Sequence, residues 1–250
     1  SMPPERIRMS SSPVPITVTS DPRITTAPDV LTFTPLNWTT PQNIAINVPQ
    51  DNIAMGIHTA QITYTVRSAD PRYDDFPLGA TTVVITDDDV SGLRLRQTNN
   101  STAVMEGGDP DIYELRLRSQ PTAPIIVQVN PDTQLTATPD TFIIAPLAWN
   151  DPHTITVSAI DNLIAEGNRA APITHTLQSA DENYRGNTTP FTVTIGDNDS
   201  AGVTLVESGG ITRVREGGSP DRYALRLTSQ PTLPVTIALA FDNQIAVTPV

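Results

Sequence analysis

Cysteine is absent from this chain, which excludes disulfide staples, thiolate nucleophiles and cysteine-based zinc sites. Lysine is absent too. All 15 basic side chains are arginine, against 27 Asp and Glu, for a net charge of −12. Binding to a phosphate backbone needs a basic surface that releases counterions, so this charge argues against nucleic acid as a partner. Aromatics make up only 5% of the residues, and no apolar run is long enough to insert into a membrane. No G-x-S-x-G elbow, H-E-x-x-H pair or phosphate-cradling loop is found. The three histidines, His58, His153 and His175, lack ligand-like spacing. The chain is therefore expected not to be an enzyme.

What is present is turn chemistry and β-branched apolar residues. There are 24 Pro and 13 Gly, and 38% of the residues are hydrophobic. That is enough for ordinary cores, and the prolines disfavour long helices. Thr, Val and Ile fit a pleated, half-buried surface.

Self-similarity organises the chain. VMEGGDPDIYELRLRSQP at 104–121 returns as VREGGSPDRYALRLTSQP at 214–231, so Glu106 corresponds to Glu216. LTFTPLNWTTPQNIAINVPQDN at 31–52 matches TFIIAPLAWNDPHTITVSAIDN at 141–162, with Trp38 on Trp149 and Asp51 on Asp161. VVITDDDVSGLRL at 83–95 matches VTIGDNDSAGVTL at 193–205. The period is about 110 residues, the size of one β-sandwich. Residues 1–89 read as a partial repeat without its first strand, 90–199 as a complete repeat, and 200–250 as the opening part of a third. Both partial ends include the strand with the P-x-x-P-type start, near Pro15 and Pro234. The two ends therefore do not sum to one repeat, and a longer array is the simpler reading. Borrowing of a strand from an identical subunit is the alternative.

Period-2 alternation runs through the complete repeat. Tyr113, Leu115 and Leu117 share a face, as do Ile155, Val157 and Ala159. Ile173, His175 and Leu177 form a third set, which makes His175 a core residue, and Phe191, Val193 and Ile195 a fourth. Strands that each bury one face pack as antiparallel sheets face to face. Gly107-Gly108, Asn130-Pro131-Asp132 and Asp151-Pro152 mark turns between them. About seven strands per repeat are predicted, hence an all-β chain of tandem sandwiches. Strand-end packing is the expected role of Trp38 and Trp149.

Acidic residues of the complete repeat gather at predicted strand ends: Glu106, Asp161 with Glu166, and Asp197 with Asp199. Hard cations such as calcium take six to eight oxygen ligands, often from several loops. The same residues also suit ordinary solvated loops, and spacing alone leaves both readings open. The ordered series V-x-E-G-G, S-x-P-T-x-P, P-L-x-W, D-N-x(3)-E-G, S-A-D-x-x-Y and D-N-D covers nearly the whole chain. It resembles the Calx-beta family, especially the Calx-beta-like arrays of bacterial surface proteins. The resemblance implies an immunoglobulin-like sandwich of seven strands that can bind calcium at one pole, with Glu106, Asp161, Glu166, Asp197 and Asp199 as ligands. Asn162 and Arg169 depart from the family's acidic pattern. In the first repeat Met55 or Gly56 stands at the Glu position, while Asp87, Asp88 and Asp89 form a fully acidic triplet, a candidate junction site.

Two functions follow as expectations. One is a structural repeat of an extracellular array, such as an adhesin stalk, a surface layer or a filament, secreted or held at the cell surface and rigidified by calcium. Its partners would be neighbouring repeats of the same chain, and identical subunits by strand addition. The other is a calcium-responsive binding module or adhesin that recognises a protein or glycan.

Overall fold

A computed structural model describes residues 12–248. Its regular elements are β-strands with three single-turn 3-10 segments and no α-helix among the described residues. The chain divides into two compact units. Unit 1 comprises the described residues up to Ser91 together with Arg118–Thr122, and unit 2 comprises Gly92–Leu117 with the described residues from Ala123 onward.

Unit 1 holds β1 (Val14–Ser20), β2 (Thr25–Ala27), β3 (Val30–Phe33), β4 (Ala45–Asn47), β5 (His58–Val66) and β6 (Thr81–Ile85). One sheet has the order β3-β1-β5-β6, and β2 pairs with β4 in a second. Its core is small: Val18, Ile24, Ala60, Ile62 and Ile85, with Ile44, Tyr64 and Val83 packed against them.

Unit 2 contains a complete sandwich. Its strands are β7 (Leu93–Gln97), β8 (Ala103–Met105), β9 (Asp111–Leu117), β10 (Ile125–Pro131), β11 (Leu135–Thr138), β12 (Thr141–Ile144), β13 (His153–Ala159), β14 (Arg169–Ser179) and β15 (Thr188–Gly196). They form a five-stranded sheet, β12-β10-β14-β15-β8, and a four-stranded one, β11-β13-β9-β7. All pairings are antiparallel except that of β8 with β15. The alternating residues meet between the sheets. Tyr113, Leu115, Ile155 and Val157 come from one sheet and Val127, Ile173, Val193 and Ile195 from the other, all buried in one cluster. Removing this apolar surface from water, at about 25 cal/mol per Å², stabilises the sandwich. His175 is buried among them, bonded to the Tyr113 hydroxyl at 2.8 Å and to the Thr189 carbonyl at 2.9 Å.

Nine strands appear where about seven are expected, because the chain twice crosses between the sheets from one short strand to the next. Between β7 and β8, Asn99 and Asn100 adopt positive φ, a conformation that asparagine tolerates better than most residues. The chain then crosses from one sheet to the other. Between β11 and β12 stands Pro139, which has no N–H for a ladder. The same switch separates β2 from β3 at Pro28.

The third segment contributes only a hairpin, β16 (Val203–Glu207) with β17 (Tyr223–Leu227). No strand is formed among the described residues beyond Leu227, so the strand expected near Pro234 is not present there.

Candidate cation site at the strand ends

The parallel pairing of β8 with β15 sets up the site. Its last pair is Gly196 with Met105, and the ladder continues as the Glu106 N–H donates to the Gly196 carbonyl at 3.0 Å. Glu106 is thereby carried alongside the turn that begins at Asp197. Carboxylate oxygens of Glu106, Asp197 and Asp199 lie within 4.8 Å of one another. Glu106 is only 3% exposed. Its Oε1 accepts from Asn162 Nδ2 at 2.9 Å, whereas its Oε2 is buried without a partner, as is Asp199 Oδ2.

The surrounding turns hold these groups in place. Asp197 Oδ1 accepts from the Asp199 N–H at 2.8 Å, and its Oδ2 from the Gly167 N–H at 2.5 Å. These bonds hold the Asp197 carboxyl below the usual carboxylate range. Glu106 is shifted the other way. Burial raises its pKa first, and then the charges of Asp197, Glu166, Asp161 and Asp199. A buried anion facing four others, with one oxygen unpartnered, is costly unless a cation neutralises it.

The other four predicted carboxylates are therefore close enough to act on Glu106, but only Glu106, Asp197 and Asp199 cluster at ligand distance. Asp161 Oδ1 instead accepts from Asn198 Nδ2 at 3.0 Å. Both Glu166 oxygens accept from Gln134 Nε2, at 3.0 and 2.8 Å. Two amides missed by carboxylate counting organise the pole. Asn198 bridges Asp161 and the Glu106 carbonyl, and Asn162, read from sequence as a departure, anchors the Glu106 side chain. Their only signal in sequence was position, next to Asp197 and Asp161. Arg169 is bound to Asp132 at 2.7 Å. Gly107 has φ +64°, and a Cβ there would lie 3.2 Å from Asn198 Nδ2, so the turn after Glu106 requires glycine.

Unit 1 repeats half of this arrangement. Asp87 Oδ1 accepts from the Asp89 N–H at 2.9 Å, and its Oδ2 from the Met55 and Gly56 N–H groups. Gly56 thus plays the part of Gly167, which places Met55 at the Glu166 position. Asp88 accepts from Gln50 Nε2 at 3.0 Å. Asp87, Asp88 and Asp89 also cluster at ligand distance. Burial, then Asp87, Asp88 and Asp51, raise the Asp89 pKa. No described residue of unit 1 stands where Glu106 stands in unit 2. Trp149 packs on the core of its sandwich, but Trp38 is 71% exposed, so the expected packing holds at one of the two positions.

No protein-family model matches the chain, and no curated protein does. Among solved structures, the chain is similar to the periplasmic chaperone SfaE at 11% identity, covering 43% of this chain and 57% of that one, with a TM-score of 0.34. It is also similar to the E. coli chaperone DraB at 10% identity, with coverages of 57% and 86% and a TM-score of 0.34. Domains 1–6 of the surface layer protein SbsC match at 13% identity, covering 86% of this chain and 28% of that one, with a TM-score of 0.30. The chain thus spans less than two thirds of the first of these. All are distant likenesses. The sheets described above define the class directly: tandem immunoglobulin-like β-sandwiches. No helix among the described residues is long and apolar enough to cross a membrane.

Proposed function

We propose that this chain is a non-enzymatic structural repeat of a Calx-beta-like extracellular array, stiffened by calcium at the strand-end pole of unit 2. The observation that carries this reading is Glu106, a buried carboxylate with an unpartnered oxygen beside Asp197 and Asp199. Three carboxylates offer six oxygens, a number and chemistry suited to a hard cation. Oxygens already accepting backbone N–H bonds keep a second lone pair for a metal. Glu106 stands between β8 and β9, and Asp197 follows β15, so a cation here ties the end of β15 to the turn that carries the chain from one sheet to the other. That suits a rigid spacer in an adhesin stalk, a surface layer or a filament, and it fits a chain that is acidic and free of catalytic motifs. The Asp87–Asp89 triplet is the corresponding half-site of unit 1.

Isothermal titration of calcium into the chelator-treated chain tests this. Saturable binding that is lost in Asp197→Asn and Glu106→Gln is the expected result. Heats that are linear and unchanged in both variants would overturn the calcium reading.

A further inference from the structure

We propose that the outer face of β7 and β9 in unit 2 is a binding site for an acidic glycan, one whose sugar rings carry carboxylates. Four side chains make the site. Leu93, Leu95, Tyr113, Leu115 and Leu117 turn toward the core, which leaves Arg94, Arg96, Glu114 and Arg116 on the outer face. With Leu95 at its floor, this set lines a shallow recess of about 410 Å³. Across the strands Arg94 is directly opposite Arg116, and Arg96 is opposite Glu114.

Three of the four charges are positive, in a chain whose net charge is −12. Like charges facing each other across a strand pair are destabilising unless something neutralises them. Arg96 lies 3.5 Å from Glu114, but neither Arg94 nor Arg116 has an ion pair among the described residues. Both are held by one residue instead. Arg94 Nη2 donates to Asn150 Oδ1 at 3.4 Å, and Arg116 Nη1 to the Asn150 carbonyl at 3.1 Å. The fold does not require this charged set. The β16–β17 hairpin repeats the register pair for pair, with Thr204 and Val206 in place of Arg94 and Arg96, and Ala224 in place of Glu114. There Arg226, the counterpart of Arg116, donates to Thr204 Oγ1 at 3.1 Å. The same hairpin therefore forms with one arginine satisfied by a hydroxyl, and the facing pair of arginines is an addition to the repeat pattern.

The chemistry of the set defines its ligand. Guanidinium groups only donate, and they bind the oxygens of anions in a fork geometry. Glu114, whose side chain is 30% exposed, only accepts. A ligand that satisfies both offers an anion beside hydroxyl donors, which is what a sugar acid carries. A chain dense in sulfate or phosphate would instead set its own charge against Glu114. Thr154 stands beside Glu114 on β13 and is exposed, adding a hydroxyl to the same row. The recess is the size of a small-ligand site, roughly 300–1,000 Å³. Its lining has none of the aromatic anchors that dominate protein interfaces, which favours a glycan over an acidic protein. The site shares no residue with the cation site and does not depend on the calcium reading.

The test is a titration of the full chain in chelator, so that no cation can bridge the acidic pole to an acidic glycan. Oligomers of galacturonate, glucuronate and mannuronate are the probes, with methyl-esterified oligogalacturonate and polyglutamate as controls. Saturable binding to at least one free-acid oligomer is expected, with both controls silent. Arg94→Thr with Arg96→Val, residues that the third segment already carries at these positions, should weaken binding about tenfold or more, the scale of a lost charge-assisted contact. The melting of unit 2 should not change. Arg226→Gln should leave binding as it is. Absence of binding to all three oligomers would overturn the proposal, as would full binding by the doubly substituted chain. Equal binding to polyglutamate would point to an acidic protein instead, and an equal loss in Arg226→Gln would reduce the effect to bulk charge. Because calcium is absent throughout, failure of this titration and failure of the calcium titration are separate results.

Discussion

Replacing Glu106 by glutamine separates the electrostatic argument from simple packing. The amide keeps the shape of the side chain and can still engage Asn162, which now bonds Glu106 Oε1 at 2.9 Å. Its NH2 can also donate to Asp199 Oδ2, which is buried without a partner. In chelator the wild-type carboxylate bears the cost of an unsatisfied buried charged group, about 1–3 kcal/mol. Glu106→Gln should therefore raise the stability of unit 2 by about that amount. For a unit of this size that is roughly 2–12 °C in melting temperature. Calcium should reverse the order. If affinity falls in the range of extracellular modules, ~10⁻⁴–10⁻³ M, about 10 mM calcium is ten to a hundred times Kd. Linkage then gives the wild type about 1.4–2.7 kcal/mol and the variant almost nothing. Calorimetric melts of both proteins, with and without calcium, read all four values. A variant less stable than wild type in chelator would show that the protein already satisfies Glu106. A variant that keeps the full calcium response would remove Glu106 from the site.

Three further outcomes are expected. Burial depresses the pKa of His175, which faces Tyr113, Phe191 and the Thr189 carbonyl. The unfolded chain therefore takes up the proton first as pH falls below about 6.5. Unit 2 should lose stability from that pH downward, and His175→Gln should flatten this slope in urea melts. Leu115→Ala removes a fully buried side chain and should cost about 2–5 kcal/mol, while Leu205→Ala on the exposed hairpin should stay within about 0.5 kcal/mol under monomeric conditions. Equal costs would contradict the difference in burial. Gly107→Ala should destabilise by about 1–2 kcal/mol, because a Cβ is strained at φ +64° and meets Asn198 Nδ2. It should also weaken calcium binding by titration, whereas Gly167→Ala, with φ +77° but open space around it, should show the strain alone.

Much of the fold was legible because alternation is a local signal with a period of two. Tyr113, Leu115, Leu117, Ile155, Val157, Ile173 and Val193 could be assigned to a core from their neighbours alone, and each is buried. The repeat was legible because equivalent positions carry similar residues. Sheet switching was not. Which sheet each short strand on either side of Asn99-Asn100 or Pro139 joins depends on partners far along the chain.

The sequence by itself determined the composition of the pole, five carboxylates at strand ends, and the exclusion of cysteine and lysine chemistry. Only the tertiary structure decided which of them meet. The parallel register of β8 on β15 brings Glu106 to Asp197 and Asp199 across some ninety residues of chain, while Asn198 and Gln134 hold Asp161 and Glu166 aside. Pattern reports which face of a strand is buried. It does not report which strand lies beside it, because that choice is made by long-range hydrogen bonds and packing between sheets.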